Sequence, residues 1–338
     1  MGGDFAPKNE VAGAIEVFKS LKPGTDLEII LVGHEQKIKK ELAAYDLSSV
    51  NYSIVHADDV VTMEDDPTEV VKKRKNSSLY KGAELHANGY ADAFVSAGNT
   101  GAMLSVSTIL LGRIKGVSRP AIGTFLPSDS KYPVFVMDVG ANVDCKPRFL
   151  YEFAVMGSIY MAQTLGVENP KVGLLSVGEE EKKGNEAVRL AHQALIDSNL
   201  NFIGNIEGGD IFRGACNVVV CDGFTGNVVL KLAESFPSFL KVKFKEYASK
   251  NLLNKLLMLM AMPALKSTFK QFNYEEYGGV PLLGVNGVSI IGHGKSSPKA
   301  IKNMILKAME TIQKQVNSKI EIALNPSALK NDSYNIIN

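Results

Sequence analysis

Residues 91–102 read ADAFVSAGNTGA. A short apolar run, AFVSA, ends at Gly98-Asn99, and Thr100-Gly101 opens a stretch with apolar residues at helical spacing, AMLSVSTILLG (102–112). A β-rich run that stops at a glycine turn and passes directly into a helix is one strand–helix unit of an α/β sheet. The arrangement recurs at DVGANVDCKP (138–147), SVGEEEKKGNE (176–186), CDGFTGN (221–227) and IGHGKSSPK (291–299).

Working outward, further strands are predicted at 27–33, 51–57, 121–127 and 201–208, besides those feeding the turns at 132–140, 171–178, 217–223 and 287–294. Helices are predicted at 8–20, 67–88, 100–114, 147–166, 184–198, 225–250 and 298–317. Many strands are continuous apolar runs, the pattern of a sheet covered by helices on both faces. The alternation predicts a doubly wound, three-layer α/β/α fold, as a single catalytic domain over 1–322. The polar remainder, 323–338, is expected to fray.

In an open α/β sheet the ligand crevice lies outside the carboxyl ends of the strands. Five glycine turns are therefore expected to converge there, where backbone N–H groups and helix N-termini favour an anion, most simply phosphate. Gly98, Asn99, Thr100, Gly101 and Gly226 would form the backbone cradle. Asn142, Asn185 and Asn227 carry amides that can donate to a phosphate or carbonyl oxygen. Asp138, Asp144 and Asp222 could orient a lysine, accept a proton or cap a helix. His293 could act as acid or donor. Lys182 and Lys183, directly after a strand, could stabilise an oxyanion as point charges, although charge runs are commonly solvated faces.

Composition narrows the chemistry. With 338 residues and a formal net charge of +1, the chain lacks the basic surplus of a nucleic-acid binder. Three cysteines without CxxC spacing argue against a disulfide framework or zinc site and favour a reducing cytoplasm. The histidines have no metal-ligand spacing, and no metal or cofactor is expected. No GxGxxG or GxSxG occurs, and GHGKSS lacks the first glycine of a phosphate-binding Walker loop, Ser289 standing there. His192 and Asp197 match a His-x4-Asp acyltransferase spacing but sit near the end of a predicted helix without a helper motif. A non-covalent, electrostatic site is the expectation.

MGGDFAPK, SAGNTGA, DVGANVDCKP, VGEEEKKGNE, CDGFTGNVVLK, EYGGVPLLGVNG and GHGKSS occur in that order from residue 1 to about residue 315. The chain thereby resembles the phosphate acyltransferases of bacterial phospholipid synthesis. The resemblance implies transfer of a fatty acyl group from acyl carrier protein to inorganic phosphate. The acyl phosphate would then serve a membrane glycerol-3-phosphate acyltransferase. It also implies homodimers and a fold like isocitrate and isopropylmalate dehydrogenases and phosphotransacetylase. Members usually begin with a short apolar strand before the MGGD turn, whereas this chain starts at that turn's Met, so roles for Gly2, Gly3 and Asp4 depend on that strand. Under this reading Lys182, Lys183 and Asn227 are the expected catalytic residues. A phosphotransacetylase-like enzyme using acyl-CoA and a non-catalytic membrane scaffold are the competing readings. A nicotinamide dehydrogenase is the least favoured.

One segment stands apart. Residues 240–275 are predicted to form a helical protrusion, apolar without interruption from Leu256 to Leu265 and rich in lysine on its flanks. The apolar run is shorter than the roughly 20 residues of a membrane span. Leu256, Leu257, Met258, Leu259 and Met260 are expected to touch membrane, dimer partner or acyl chain. Lys231, Lys241, Lys243, Lys245, Lys250, Lys255, Lys266 and Lys270 face only Glu234 and Glu246 in this region, a local basic surplus suited to an acidic carrier protein.

Overall fold

The computed structural model describes residues 1–270 and 278–325. Residues 326–338, expected to fray, and Glu276 and Tyr277 of the EYGGVPLLGVNG motif lie outside the described residues. The first quarter contains α1 (Lys8–Phe18), β1 (Ile29–Gly33), α2 (Glu35–Leu42) and β2 (Tyr52–His56). Then follow α3 (Pro67–Lys73), α4 (Ser78–Ala87), β3 (Ala93–Ser96), α5 (Thr100–Leu110), β4 (Ala121–Leu126) and β5 (Val134–Met137). The middle runs through α6 (Pro147–Leu165), β6 (Lys171–Leu175), α7 (Glu186–Ile196), β7 (Asn201–Ile206), α8 (Gly208–Arg213) and β8 (Val218–Val220). The last part holds α9 (Gly223–Ala248), α10 (Leu252–Lys270), β9 (Val280–Leu283), β10 (Val288–Ile291), α11 (Pro298–Gln313) and α12 (Val316–Ala323).

Eight strands form one mixed sheet in the order β3-β10-β9-β4-β5-β8-β6-β7, and β1 and β2 form a parallel pair. The sheet's centre is antiparallel: β4 pairs with β5 through Gly123–Met137 to Leu126–Val134 and with β9 through Ile122–Leu282. β3 and β10 are parallel on one side, and β5, β8, β6 and β7 on the other. The β4–β5 hairpin thus reverses the sheet's sense. The turns after β3 and β10 leave at one end, and those after β5, β6 and β8 at the opposite end. The expected convergence of all five carboxyl ends on one edge does not occur.

Buried strands nucleate the core as their apolar runs require. β4 and β5 are buried along their whole length. Phe135 stacks on Tyr160 of α6 with ring centroids 4.8 Å apart, and Phe125 completes the cluster, 4.9 Å from Phe135 and 6.1 Å from Tyr160. α6 ends at Gly166, whose left-handed φ of 68° closes the helix without a Cβ penalty.

Several boundaries differ from the periodicity. The stretch expected as one helix over 67–88 is two, because Ser77 caps α4 by accepting the Tyr80 amide. The helix expected over 298–317 breaks at Gln315, which has a positive φ of 53°. α9 starts before 225 because the Asp222 side chain accepts the Thr225 amide.

Between β1–β2 and β3 lies a cavity of about 570 Å³. Ile29–Val32 line one wall and Ala93–Gly98 the other, and Met1 and Gly2 enter between them. A Cβ on Gly33 would lie 2.3 Å from Met1 Cγ, and one on Gly2 would lie 3.3 Å from Gly98 Cα. The chain's first residues therefore bridge the carboxyl ends of β1 and β3. Burial lowers the pKa of the Met1 amine, partly offset by Glu10.

Candidate active site

A cleft of about 290 Å³ opens over the antiparallel centre of the sheet. One side is apolar: Ile122, Phe125 and Leu126 of β4, Val280 and Ile291 of the neighbouring strands, and Met304 of α11. The facing side is α9, with Asn227, Leu230, Lys231 and Glu234. Polar atoms come from Thr100, Gly140, His293 and Ser296. Turns from opposite ends of the sheet thus contribute to one cleft, since β9 and β10 are each only four residues long.

Each turn is held from within. Asn99 is buried and caps α5: its Oδ1 accepts the Ala102 amide at 2.9 Å. Its Nδ2 donates to the carbonyls of Thr62 (3.0 Å), Asp65 (3.2 Å) and Met63 (3.4 Å). Those carbonyls lie on a loop clamped by Arg74, which donates to both carboxylate oxygens of Asp59, to Asp65 and to the Val60 carbonyl. Arg74 thereby sets the place of the α5 N-terminus through Asn99.

Asp138 performs the same task after β5. Fully buried, it accepts amides from Ile122 (3.3 Å), Gly140 (3.1 Å), Ala141 (2.9 Å) and Asn142 (2.7 Å). Asn142 Nδ2 donates to Asp138 at 2.9 Å and to the Pro120 carbonyl at 2.8 Å. Burial raises the Asp138 pKa, and these hydrogen bonds act against that rise. The turn then leans on α9, where Gly226 packs against the Asp138 backbone. A Cβ on Gly140 would sit 3.7 Å from the Asn227 side chain.

The predicted residues separate into three groups. Thr100, Asn227 and His293 line the cleft. Asn99, Asp138, Asn142, Asn185 and Asp222 have side chains engaged in capping or bracing turns, while Gly98, Gly101 and Gly226 allow close backbone packing. Lys182, Lys183 and Asn185 follow β6 and, like the exposed Asp144, lie outside the cleft lining. Sequence reasoning missed the apolar wall and four polar side chains of the cleft, Thr124, Lys231, Glu234 and Ser296. Lys231 stands four residues after Asn227 on one helical face, a spacing readable in advance. Ser296 lay inside the quoted GHGKSS motif.

His293 Nδ1 accepts the Lys295 amide at 3.1 Å, so the neutral ring carries its proton on Nε2. The thiols are poor nucleophiles. Burial, helped by Asp138, pushes Cys145 up to about 12; burial likewise pushes Cys216 up to about 12 and raises Cys221 well above the ordinary thiol value. His192 does not form an acyltransferase pair with Asp197: it is buried and its Nδ1 meets Asn205 Oδ1 at 2.9 Å.

α9 and α10 form a hairpin joined by the Phe244–Phe269 contact, with ring centroids 6.1 Å apart. Phe224, Val228, Leu232 and Phe239 form an exposed apolar stripe along α9. Leu256, Leu257, Leu259 and Met260 are exposed on α10, and Met258 is half-buried. No helix of the described residues is long and apolar enough to cross a membrane.

The family model described as "Fatty acid synthesis protein" matches residues 1–319. A phosphate acyltransferase from Thermodesulfovibrio yellowstonii is 46% identical over 338 residues, covering 100% of this chain and 96% of that protein. One from Dictyoglomus turgidum is 44% identical over 326 residues, 96% of each chain. The chain belongs to the phosphate acyltransferase family. It is an acyl-transferring enzyme of fatty acid and phospholipid synthesis. The fold of this acyltransferase is shared with a phosphotransacetylase from Streptococcus pyogenes, with a TM-score of 0.59 at 17% identity, covering 92% of this chain and 91% of that one. The EutD phosphotransacetylase from Staphylococcus aureus gives 0.54 at 18% identity, covering 89% and 98%.

Proposed function

We propose that this acyltransferase moves a long fatty acyl group from acyl carrier protein to inorganic phosphate, and that the cleft is where it does so. One observation carries the reading: an apolar wall of β4 and α11 side chains meets a polar rim formed at the N-termini of α5 and α11. An acyl chain suits the first, and phosphate the second. An oxygen of HPO4²⁻ attacks the thioester carbon, a C–O bond forms, and the carbonyl oxygen takes the negative charge. Asn227, on the facing helix, donates to that oxyanion. Collapse breaks the C–S bond, and the proton of HPO4²⁻ ends on the pantetheine sulfur. Positioning and electrostatics carry the rate, with one oxyanion donor worth about 10²–10³-fold. We retain Lys182 and Lys183 as candidates for charge at the approach to the site.

The exposed lysines of α9 and α10 suit an acidic carrier protein, and transfer should slow steeply with ionic strength. The apolar faces of the same hairpin suit a second protomer and the headgroup zone of a membrane, with the enzyme working from the cytoplasm. Product would there be handed to a membrane glycerol-3-phosphate acyltransferase.

Purified protein incubated with long-chain acyl carrier protein and phosphate should yield acyl phosphate by mass spectrometry. Equal or faster use of short-chain acyl-CoA would favour the phosphotransacetylase-like reading. Absence of any phosphate-dependent thioester cleavage would sink both.

A further inference from the structure

Ser296 is buried, 3% exposed, yet its hydroxyl has no hydrogen-bond partner among the described residues. Buried polar groups are rarely left so, and each such group needs a reason. Its neighbours are all committed. The Ser296 amide donates to the His293 carbonyl at 2.9 Å, and its carbonyl accepts Asn9 Nδ2 at 2.9 Å. Ser297, the next residue, spends its own hydroxyl capping the 16-residue α11 by accepting the Ala300 amide at 3.2 Å. Of two adjacent serines, one caps the helix and the other is held free beside the cleft. Gly292 lets Ser296 and Met304 pack this closely, since a Cβ there would come 3.0 Å from the Ser296 Oγ and 2.7 Å from the Met304 side chain.

Two further observations place the residue at the cleft. Ser296 belongs to the cleft lining together with His293 and Thr100. The turns that carry them are joined, because the Gly292 amide donates to the Ser96 carbonyl at 2.8 Å. The place where Ser296 sits therefore combines two helix N-termini, from α5 and α11, with a hydroxyl able to donate. Both favour negative charge. Neither turn itself contributes a carboxylate; Asp4 packs on Gly294, and Glu234 across the cleft is paired with Lys231 at 2.9 Å.

Resting on the proposed reaction, we infer that Ser296 is a ligand of the attacking phosphate, donating its hydroxyl hydrogen to a phosphate oxygen and so fixing the nucleophile against the Thr100 turn. The chemical class is a phosphate anion, and two sources exist in the reaction: the inorganic phosphate dianion and the singly charged phosphodiester of the pantetheine arm. Ser296 binds the inorganic one, because it stands at the polar rim beside the α5 N-terminus.

The test compares Ser296→Ala with the unaltered chain, by thermal unfolding with rising inorganic phosphate and by steady-state acyl-phosphate formation. Without phosphate the variant should unfold at the same temperature or higher, because it loses an unpartnered buried hydroxyl. The stabilisation conferred by phosphate should largely vanish. The KM for phosphate should rise about tenfold or more, as for a lost hydrogen bond to a charged group, with the KM for the acyl donor unchanged. Ser296→Cys keeps the volume with a weaker donor and should fall between the two, providing the reading if the alanine variant does not fold. An unchanged phosphate KM overturns the inference, as does a rise confined to the donor KM. Lower stability without phosphate and an unaltered phosphate KM would make the hydroxyl merely structural, which also overturns it. If the unaltered enzyme forms no acyl phosphate at all, the proposed reaction fails instead. Phosphate-induced stabilisation, lost in the variant, would still support the anion site.

Discussion

Gly226 meets Asp138 with no room for a side chain: a Cβ added to Gly226 would lie 1.8 Å from the Asp138 carbonyl oxygen. This contact seats the first turn of α9 on the turn after β5 and thereby sets where Asn227 stands relative to Gly140. Gly226→Ala should therefore destabilise by about 1–3 kcal/mol, the cost of overpacking a tight site, and depress transfer beyond what stability explains. Val228→Ala, on the exposed stripe, should leave the melting temperature nearly unchanged. Equal melting temperatures for Gly226→Ala and the unaltered chain would mean that α9 can shift freely.

Asn99 acts as a cap, with both ends of its amide committed. Asn99→Ala removes a helix cap, worth about 1 kcal/mol, and leaves the Thr62 and Asp65 carbonyls short of a donor. Asn99→Asp keeps the cap but sets a carboxylate against those carbonyls. Both should unfold earlier in urea. A variant of full stability that loses only phosphate affinity would show Asn99 to be a direct ligand.

Asn227 lines the cleft and Lys182 and Lys183 do not. Asn227→Ala is expected to lower kcat about 10²-fold with little change in the KM for phosphate, as for a lost oxyanion donor. Lys182→Ala and Lys183→Ala should each cost less than about tenfold, since exposed charges act through solvent. A larger loss at either lysine than at Asn227 would reverse this assignment.

The thiols supply a pH signature. A thiol whose pKa is higher in the folded chain favours folding most below its unfolded value. That advantage is lost as pH rises through the folded value, about 12 for Cys145 and Cys216. Urea midpoints should thus decline from about pH 8.5 upward. Iodoacetamide at that pH should label native Cys216 far more slowly than the urea-unfolded chain. Rapid native labelling would show the site to be open.

Leu257→Glu combined with Leu259→Glu tests the hairpin. Binding to anionic vesicles in sedimentation should disappear while dimer mass and transfer persist. Loss of the dimer instead would assign this face to protomer packing.

Much of the fold was legible because strand–turn–helix units announce themselves in residues such as Phe94–Gly98 followed by Asn99. What escaped was direction. VPLL (280–283) is short, lies between Gly278-Gly279 and Gly284 and carries Pro281, so it did not read as a strand, yet β9 with β4 makes the centre antiparallel. Without it the five turns looked like one edge. Asn185 and Asn227 read alike in the sequence, yet Asn185 caps α7 and Asn227 lines the cleft, since composition cannot distinguish a cap from a ligand. Ser296 and Ser297 make the point within one dipeptide: adjacent and identical, they differ only in what surrounds each hydroxyl.

The pairing of β3 with β10 has a consequence for how the enzyme comes into being. Ala93 sits beside Val288, and the turn carrying Thr100 is tied to the one carrying His293 and Ser296. A ribosome has released Thr100 long before it makes the strand that completes its surroundings. Contacts of such separation form slowly. The nascent chain must therefore hold β3 without its strand partner until the last elements emerge, and no shortened product ending before β10 can contain a whole site.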